Sequence, residues 1–323
     1  MGHLHAWALL ACAFPIAVSA DSTRVSPIDE VTLLIPGDAG GGWDTTTRAL
    51  GALLIEAGSV DAVSFLNVPG KNGALGLAYL IENANDLEHT LMLNSTEIVL
   101  RSLNGRYSQS YADLIPVAAP IGGAIAIIVD PASDIQDMND LAEASTVEGF
   151  ALGGGSEPLG IDHIAASLAL ARAGAADPAV SYVEFDAPQP AFAALLSGDV
   201  RALVTDAARA RDLAGQGTVR ILATTTRDVT APTSLMAQGI EMELTTWSGF
   251  FAPPGTSVED QAAYDQMFEG LYDSDVWLRA VEENGWDALN ADSADFVRLI
   301  ERQAADMSAA LAAFEMSAEG ITQ

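Results

Sequence analysis

"IPGDAGGGWDTTTRAL", residues 35–50, joins the end of an apolar run to the start of an amphipathic one through three consecutive glycines. The run before it, "VTLLI" (31–35), predicts a buried strand, and "TTTRALGALLIEAG" predicts a helix ending at Gly58. The early N–H groups of a helix lack internal partners, and the dipole makes that end positive. A glycine loop ahead of it lets backbone amides converge on one anionic oxygen. Asp44 reads as the N-cap, Thr45, Thr46 and Thr47 offer hydroxyls, and Arg48 follows one turn in. The loop has neither the lysine of a P-loop nor the spacing of a dinucleotide fingerprint, so a carboxylate fits it better than a triphosphate. The bland alternative is a tight turn that holds nothing.

The same rhythm runs outward from this loop. "VSFLN" (63–67) and "TLML" (90–93) predict strands with the helix of "ALGLAYLIENA" between them, as in βαβ units. A second series opens at "AIAIIVD" (124–130) and continues through "FALGG", "VSYVEF", "RALVTD" and "VRILATTT", with helices between. The fold class predicted is therefore α/β, in two sets. "WSGFFAPPGTS" (247–257) breaks the rhythm with a strand and a turn, and the rest reads as mostly helical, suited to packing back on the first set.

Two further glycine loops fall at strand-to-helix junctions. "NVPGKNGALG" (67–76) carries Lys71, the only lysine in the chain. "LGGGSEPLGIDHIAAS" (152–167) carries Ser156, with His163 one or two turns into the next helix. Either could be an ordinary turn, and His163 could simply cap local structure. A hydrolase elbow needs G-x-S-x-G, but Pro158 stands two residues past Ser156. All three loops belong on the carboxyl edge of a sheet, where open α/β folds bind ligands. Two such sheets facing each other describe a clamshell around a central cleft.

Composition narrows the partners. The chain of 323 residues is 50% hydrophobic and 18% charged, enough for a substantial core. Its formal charge of −30 repels nucleic acid and anionic membrane. Residues 6–18 form a short apolar run closed by "AVSA", the pattern of an export signal cleaved near Ala20, too short for a membrane span. Cys12 is the only cysteine, so a mature chain would have no disulfide, zinc–thiolate site or cysteine nucleophile. His89 and His163 would remain, far apart, which speaks against a histidine metal site.

Taken in order, these motifs resemble the substrate-binding receptors of tripartite tricarboxylate transporters, the Bug receptors. "IPGDAGGGWDTTTRAL" is similar to that family's first loop, "NVPGKNGALG" to its second, and "GGGSEPLGIDHIAA" to its glycine–serine loop and helix. "VEFDAPQPAFAALLSGDVRALVTD" and "APTSLMAQGIEMELTTWSGFFAPPGT" continue the resemblance over the mature chain. It implies two Rossmann-like domains in a periplasmic-binding-protein (type II-like) clamshell, joined by crossing strands. The expected division is a signal at 1–20, one domain from 21–125 and 248–323, and a second from 126–247. It implies a small di- or tricarboxylate ligand, large and small membrane subunits as partners, a periplasmic monomer, and no enzymatic activity, cofactor or metal. The ligand-binding residues it implies are Ala39, Gly40, Gly41, Gly42, Trp43 and Asp44 in the first loop and Gly70, Lys71, Asn72 and Gly73 in the second. Ser95 or Thr96, then Gly155, Ser156, His163 and Asp206, complete the set. Trp43, Lys71, Asn72 and Glu157 depart from the small or neutral residues expected at their positions. The competing readings are an exported serine hydrolase using Ser156 and His163, and a ligand sensor without a transporter.

Overall fold

A computed structural model describes residues 28–105, 107–175, 180–226 and 228–321, with side chains to residue 312. The expected signal, its cleavage at Ala20 and Cys12 lie outside the described residues.

The chain opens with β1 (Glu30–Ile35), α1 (Gly42–Glu56), β2 (Ala62–Asn67), α2 (Ala74–Glu82) and β3 (Thr90–Ser95). Strand β1 pairs in parallel with both β2 and β3, as the alternation predicts. A short α3 (Glu97–Leu103) follows, then β4 (Ile115–Val129), α4 (Met138–Ala144), β5 (Phe150–Gly154) and α5 (Ile161–Arg172). Next come β6 (Val180–Glu184), α6 (Pro188–Ser197), β7 (Ala202–Asp206), α7 (Ala207–Gly215) and β8 (Arg220–Thr224). The chain returns through β9 (Thr245–Ala252), α8 (Val258–Tyr272), α9 (Asp275–Asn284), β10 (Asp287–Ala291) and α10 (Ser293–Ile321).

The fold is a mixed α/β arrangement built on one long strand. The order is β2-β1-β3-β9-β4-β7-β5-β6, with β8 and β10 also paired to β4. The first part of β4 pairs antiparallel with β9, as far as Ala124 opposite Thr245. From Ile125, opposite Asp206, it pairs with β7 and β8 instead. One strand thus serves two sheets, and its partners change beside Gly122 and Gly123.

One face of each sheet has its own apolar packing, while a larger buried cluster includes Leu34 and Met92 of the first sheet, Trp247 and Phe296, and Ile127 and Leu152 of the second. Leu33, Leu91, Leu93 and Phe250 of the first sheet meet Leu50 and Leu54 of α1, Phe268 of α8 and Trp277 of α9, all fully buried. Ala126, Ile128 and Leu203 of the second meet Ala191, Leu195, Ala207 and Ala210 of α6 and α7. A helix on a sheet face removes apolar area from water at about 25 cal/mol per Å². Such packing holds the loops at the strand ends on rigid supports.

Candidate functional site

The three glycine loops do lie where strand meets helix, between β1 and α1, β2 and α2, and β5 and α5. Their capping differs from the sequence expectation. Gly41, not Asp44, is the N-cap of α1, and Asp44 sits inside the first turn. Its Oδ2 accepts the Gly40 N–H at 2.8 Å, while Oδ1 accepts from Arg48 Nε and Asn67 Nδ2, each at 2.9 Å. Asn67 also donates to the Gly37 carbonyl at 3.0 Å, so one buried carboxylate ties the first loop to the end of β2. The Arg48 hydrogen bond, then those of Gly40 and Asn67, hold Asp44 well below the usual carboxylate range.

Trp43 is the wedge between the first two loops. A side chain added at Gly37 would lie 3.1 Å from its ring, and one at Gly73 would lie 3.1 Å from the ring's other end. The second loop winds through positive φ at Gly70, Lys71, Asn72 and Gly73. Its turn is pinned by the Tyr107 hydroxyl, which donates to the Asn72 carbonyl at 2.5 Å. A cavity of ≈ 620 Å³ opens beside Gly41, Gly42, Trp43 and the four residues Gly70 to Gly73, with Ser248 of β9 across it. On its wall, the N–H groups of Gly42, Trp43, Lys71 and Asn72 have no acceptor among the described residues. The first two belong to the opening turn of α1, where no earlier helical carbonyl is available.

The third loop behaves differently. The Asp162 carboxylate, in the first turn of α5, accepts the N–H groups of Gly155 and Ser156 at 2.8 and 3.1 Å. Ser156 Oγ in return accepts the Asp162 N–H at 3.0 Å and lies 3.2 Å from the Tyr182 hydroxyl. The chain's own carboxylate therefore fills this cradle. Burial is the main cause that pushes Asp162 up to about 6, against the opposing pull of the two amides. His163 Nδ1 accepts the Leu159 N–H at 3.0 Å, and its ring stacks on Tyr182 at 4.4 Å. Burial lowers its pKa, which favours the neutral ring that this acceptance requires.

The remaining expected residues divide. Thr96 is buried, with its hydroxyl accepting the Trp247 N–H at 2.8 Å, and so serves the junction of β3 and β9. Ser95 faces Ser248 across that junction. Asp206 caps α7 through the N–H groups of Ala208 and Arg209. Ala39 and Gly40 stand off the cavity wall, although Pro36 to Asp38 before them and Gly41 after them line it.

A second cavity of ≈ 450 Å³ joins the two sheets' loops: Asn72, Glu97 and Arg101 on one side, and Gly155 to Glu157, Asp162 and Glu184 on the other. Arg101 spans it, with ion pairs to Glu97 at 3.3 Å and Glu157 at 3.2 Å. A third hollow of ≈ 240 Å³ continues past Gly155 and Asp162 to Phe185, Phe192 and Asp206. Asn72 is common to the first two cavities, and Gly155 and Asp162 to the last two. Sequence reading missed Arg101, Asp162, Tyr182 and Asn67 as site builders. The Glu97–Arg101 spacing of four is a legible helix pair that marks the first of them.

Among the described residues, no group of three or more His, Cys, Asp or Glu side chains is placed to hold a metal, and no helix is long and apolar enough to cross a membrane. The profile described as "Tripartite tricarboxylate transporter family receptor" matches residues 63–315. No curated protein matches the chain. Among solved structures, a ligand-free TctC solute-binding protein from Polaromonas is 21% identical with a TM-score of 0.76, over 88% of this chain and 98% of that one. MatC from Rhodopseudomonas palustris, with bound malate, is 18% identical with a TM-score of 0.65, covering 88% and 99%. Another R. palustris protein, with adipate, is 20% identical with a TM-score of 0.65, covering 88% and 96%. These likenesses show the two-domain clamshell fold of periplasmic binding proteins.

Proposed function

The chain belongs to the tripartite tricarboxylate transporter receptor family, and from that premise we propose that it captures a small organic anion of the di- and tricarboxylate size class and delivers it to the large and small membrane subunits of such a transporter. In this reading the protein is exported, with its signal removed near Ala20, and works in the periplasm as a monomer. Residues 21–125 and 248–323 form one lobe and 126–247 the other. The ligand is bound and released without reaction.

One observation carries the reading: four backbone N–H groups without acceptors, at Gly42, Trp43, Lys71 and Asn72, on the wall of one cavity. Charge-assisted bonds from such amides hold a carboxylate without an arginine clamp. Lys71 lines the same cavity and adds a cation. Malate and adipate in the related R. palustris proteins support a carboxylate as the ligand. Ser156 and His163, in contrast, are engaged by Asp162, Tyr182 and Leu159, which disfavours the hydrolase reading.

A thermal-shift screen of small carboxylates tests the proposal. Ligand at 100 times its Kd stabilises by about 2.7 kcal/mol, roughly 5 °C for a chain of this size. Gly42 is the position to block, because a side chain there meets nothing within 4 Å. Gly42→Leu is expected to keep the unliganded Tm and lose the ligand shift. A full ligand response in that variant would rule out the first-loop cradle.

A further inference from the structure

With the carboxylate end of the ligand assigned to the first two loops, the other end must lie toward the second and third cavities. Electrostatics changes sign along that path. The first cavity has Lys71 and unpaired amides against the single acid Asp38. Among the described residues, Arg101 is the one Lys or Arg side chain on the second, against Glu97, Glu157, Asp162 and Glu184. The third adds Asp186 and Asp206 with no Lys or Arg among the described residues.

A second ligand carboxylate would need either a free cradle or a free cation there. The third-loop amides of Gly155 and Ser156 are already held by Asp162. The amides of Asp186 and Ala187, without an acceptor among the described residues, share the third cavity's wall with the carboxylates of Asp162, Asp186 and Asp206. Arg101 is already held from both sides, by Glu97 of its own helix and by Glu157 of the opposite sheet's loop. That ion pair is largely shielded, with side chains 15% and 22% exposed, so solvent screens it little. We propose that Glu157 is the specificity-determining residue of the cleft. Its carboxylate occupies the guanidinium that an anionic ligand end would need. Glu157 thereby rejects dicarboxylates in favour of a carboxylate whose far end is neutral or carries an ammonium group. Like charge against the same wall adds to the rejection, as in interfaces where juxtaposed like charges exclude wrong partners. Glu157→Gln would leave Arg101 paired to Glu97 alone and return hydrogen-bonding capacity to an incoming carboxylate.

The experiment compares succinate, butyrate and 4-aminobutyrate, and their six-carbon counterparts, by calorimetry on the full mature protein and on Glu157→Gln. Glu184→Gln is the control, since it removes a charge from the same wall without an ion pair to Arg101. The wild type is expected to bind the amino acid more tightly than the dicarboxylate of equal length. In Glu157→Gln that ratio is expected to move toward the dicarboxylate by about tenfold or more, with Glu184→Gln moving it much less. A ratio that Glu157→Gln leaves in place overturns the proposal, as does an equal change in Glu184→Gln or a wild type that prefers the dicarboxylate. If none of the ligands binds either protein, the carboxylate-receptor reading itself falls, and this assignment with it.

Discussion

Asp162 and His163 are neighbours in sequence, yet only the histidine stands out on reading. Histidine is rare in this chain and aspartate is abundant, so the wrong one draws notice. The structure makes the aspartate the organiser of the third loop and the histidine a clip for Leu159, whose φ is +63°. Asp162 has a testable titration. Its pKa, raised by burial to about 6, lies above the unfolded value. Between about pH 4 and 6 the native carboxyl keeps a proton that the unfolded chain has lost, so stability falls as pH rises through that window. The shift corresponds to about 3 kcal/mol at most. Asp162→Asn keeps an acceptor for the two amides and removes the charge. Urea titrations at pH 4.5 and 7 are expected to show the variant gaining on the wild type at the higher pH, and a constant difference would refute the assignment. Asp44 runs the other way: its depressed pKa contributes stability that is present above the ordinary carboxylate range and lost as acid protonates it. Ser156→Ala has its own signature. It removes the acceptor for the Asp162 N–H and is expected to cost about 1 kcal/mol without any ligand present. Denaturation of the unliganded protein measures it, and an unchanged midpoint would show that hydrogen bond to be idle.

At the scale of elements, the strands of the parallel units were legible because each is a short apolar run, and β1, β2 and β5 also lead into glycine loops. Helix α3 was not. It has only seven residues, too few to show a period, and it carries Glu97 and Arg101, so the cation of the cleft went unseen with it. Strand β4 was read only from residue 124, because Pro116, Pro120, Gly122 and Gly123 look like breakers. Pro116 and Pro120 fall at register shifts in the pairing of β4 with β9, where a missing N–H is tolerated. Strand β10, "DALNA", has no β-branched residue to announce it. The second loop shows what glycine contributes in such an element. Gly58 and Gly73 both have positive φ, but a side chain at Gly58 would meet nothing within 4 Å, whereas one at Gly73 would press on Trp43 and the Tyr107 hydroxyl. Gly58→Ala is expected to lose about 1 kcal/mol from the backbone alone. Gly73→Ala is expected to lose about 2 kcal/mol or more, the excess being the contact. Equal losses, read from denaturation midpoints at unchanged m, would mean that Trp43 is free to move aside.

For the whole molecule the dominant quantity is charge. The chain carries 44 acidic and 14 basic residues, and residues 1–20 contain none of either, so loss of that segment leaves the balance untouched. Two opposing effects of salt follow. Screening weakens ion pairs, but pairs such as Arg201–Asp134 and Arg279–Glu56 are exposed, and exposed pairs contribute little. Screening also relieves repulsion among carboxylates, which in a folded protein of this charge extends over the whole surface and relaxes when the chain unfolds. The screening length falls from about 10 Å at 0.1 M to about 3 Å at 1 M. The excess of acids makes relief of repulsion the larger effect, so Tm is expected to climb steadily with sodium chloride over that range. The ligand's carboxylate, gripped at contact distance by backbone amides, is expected to lose far less of its affinity over the same range than a pair of exposed charges would. A melting temperature that falls with salt would mean that the ion pairs outweigh the repulsion. The exposed pairs, Arg201–Asp134 and Arg279–Glu56, would then be the first place to look for the missing stability.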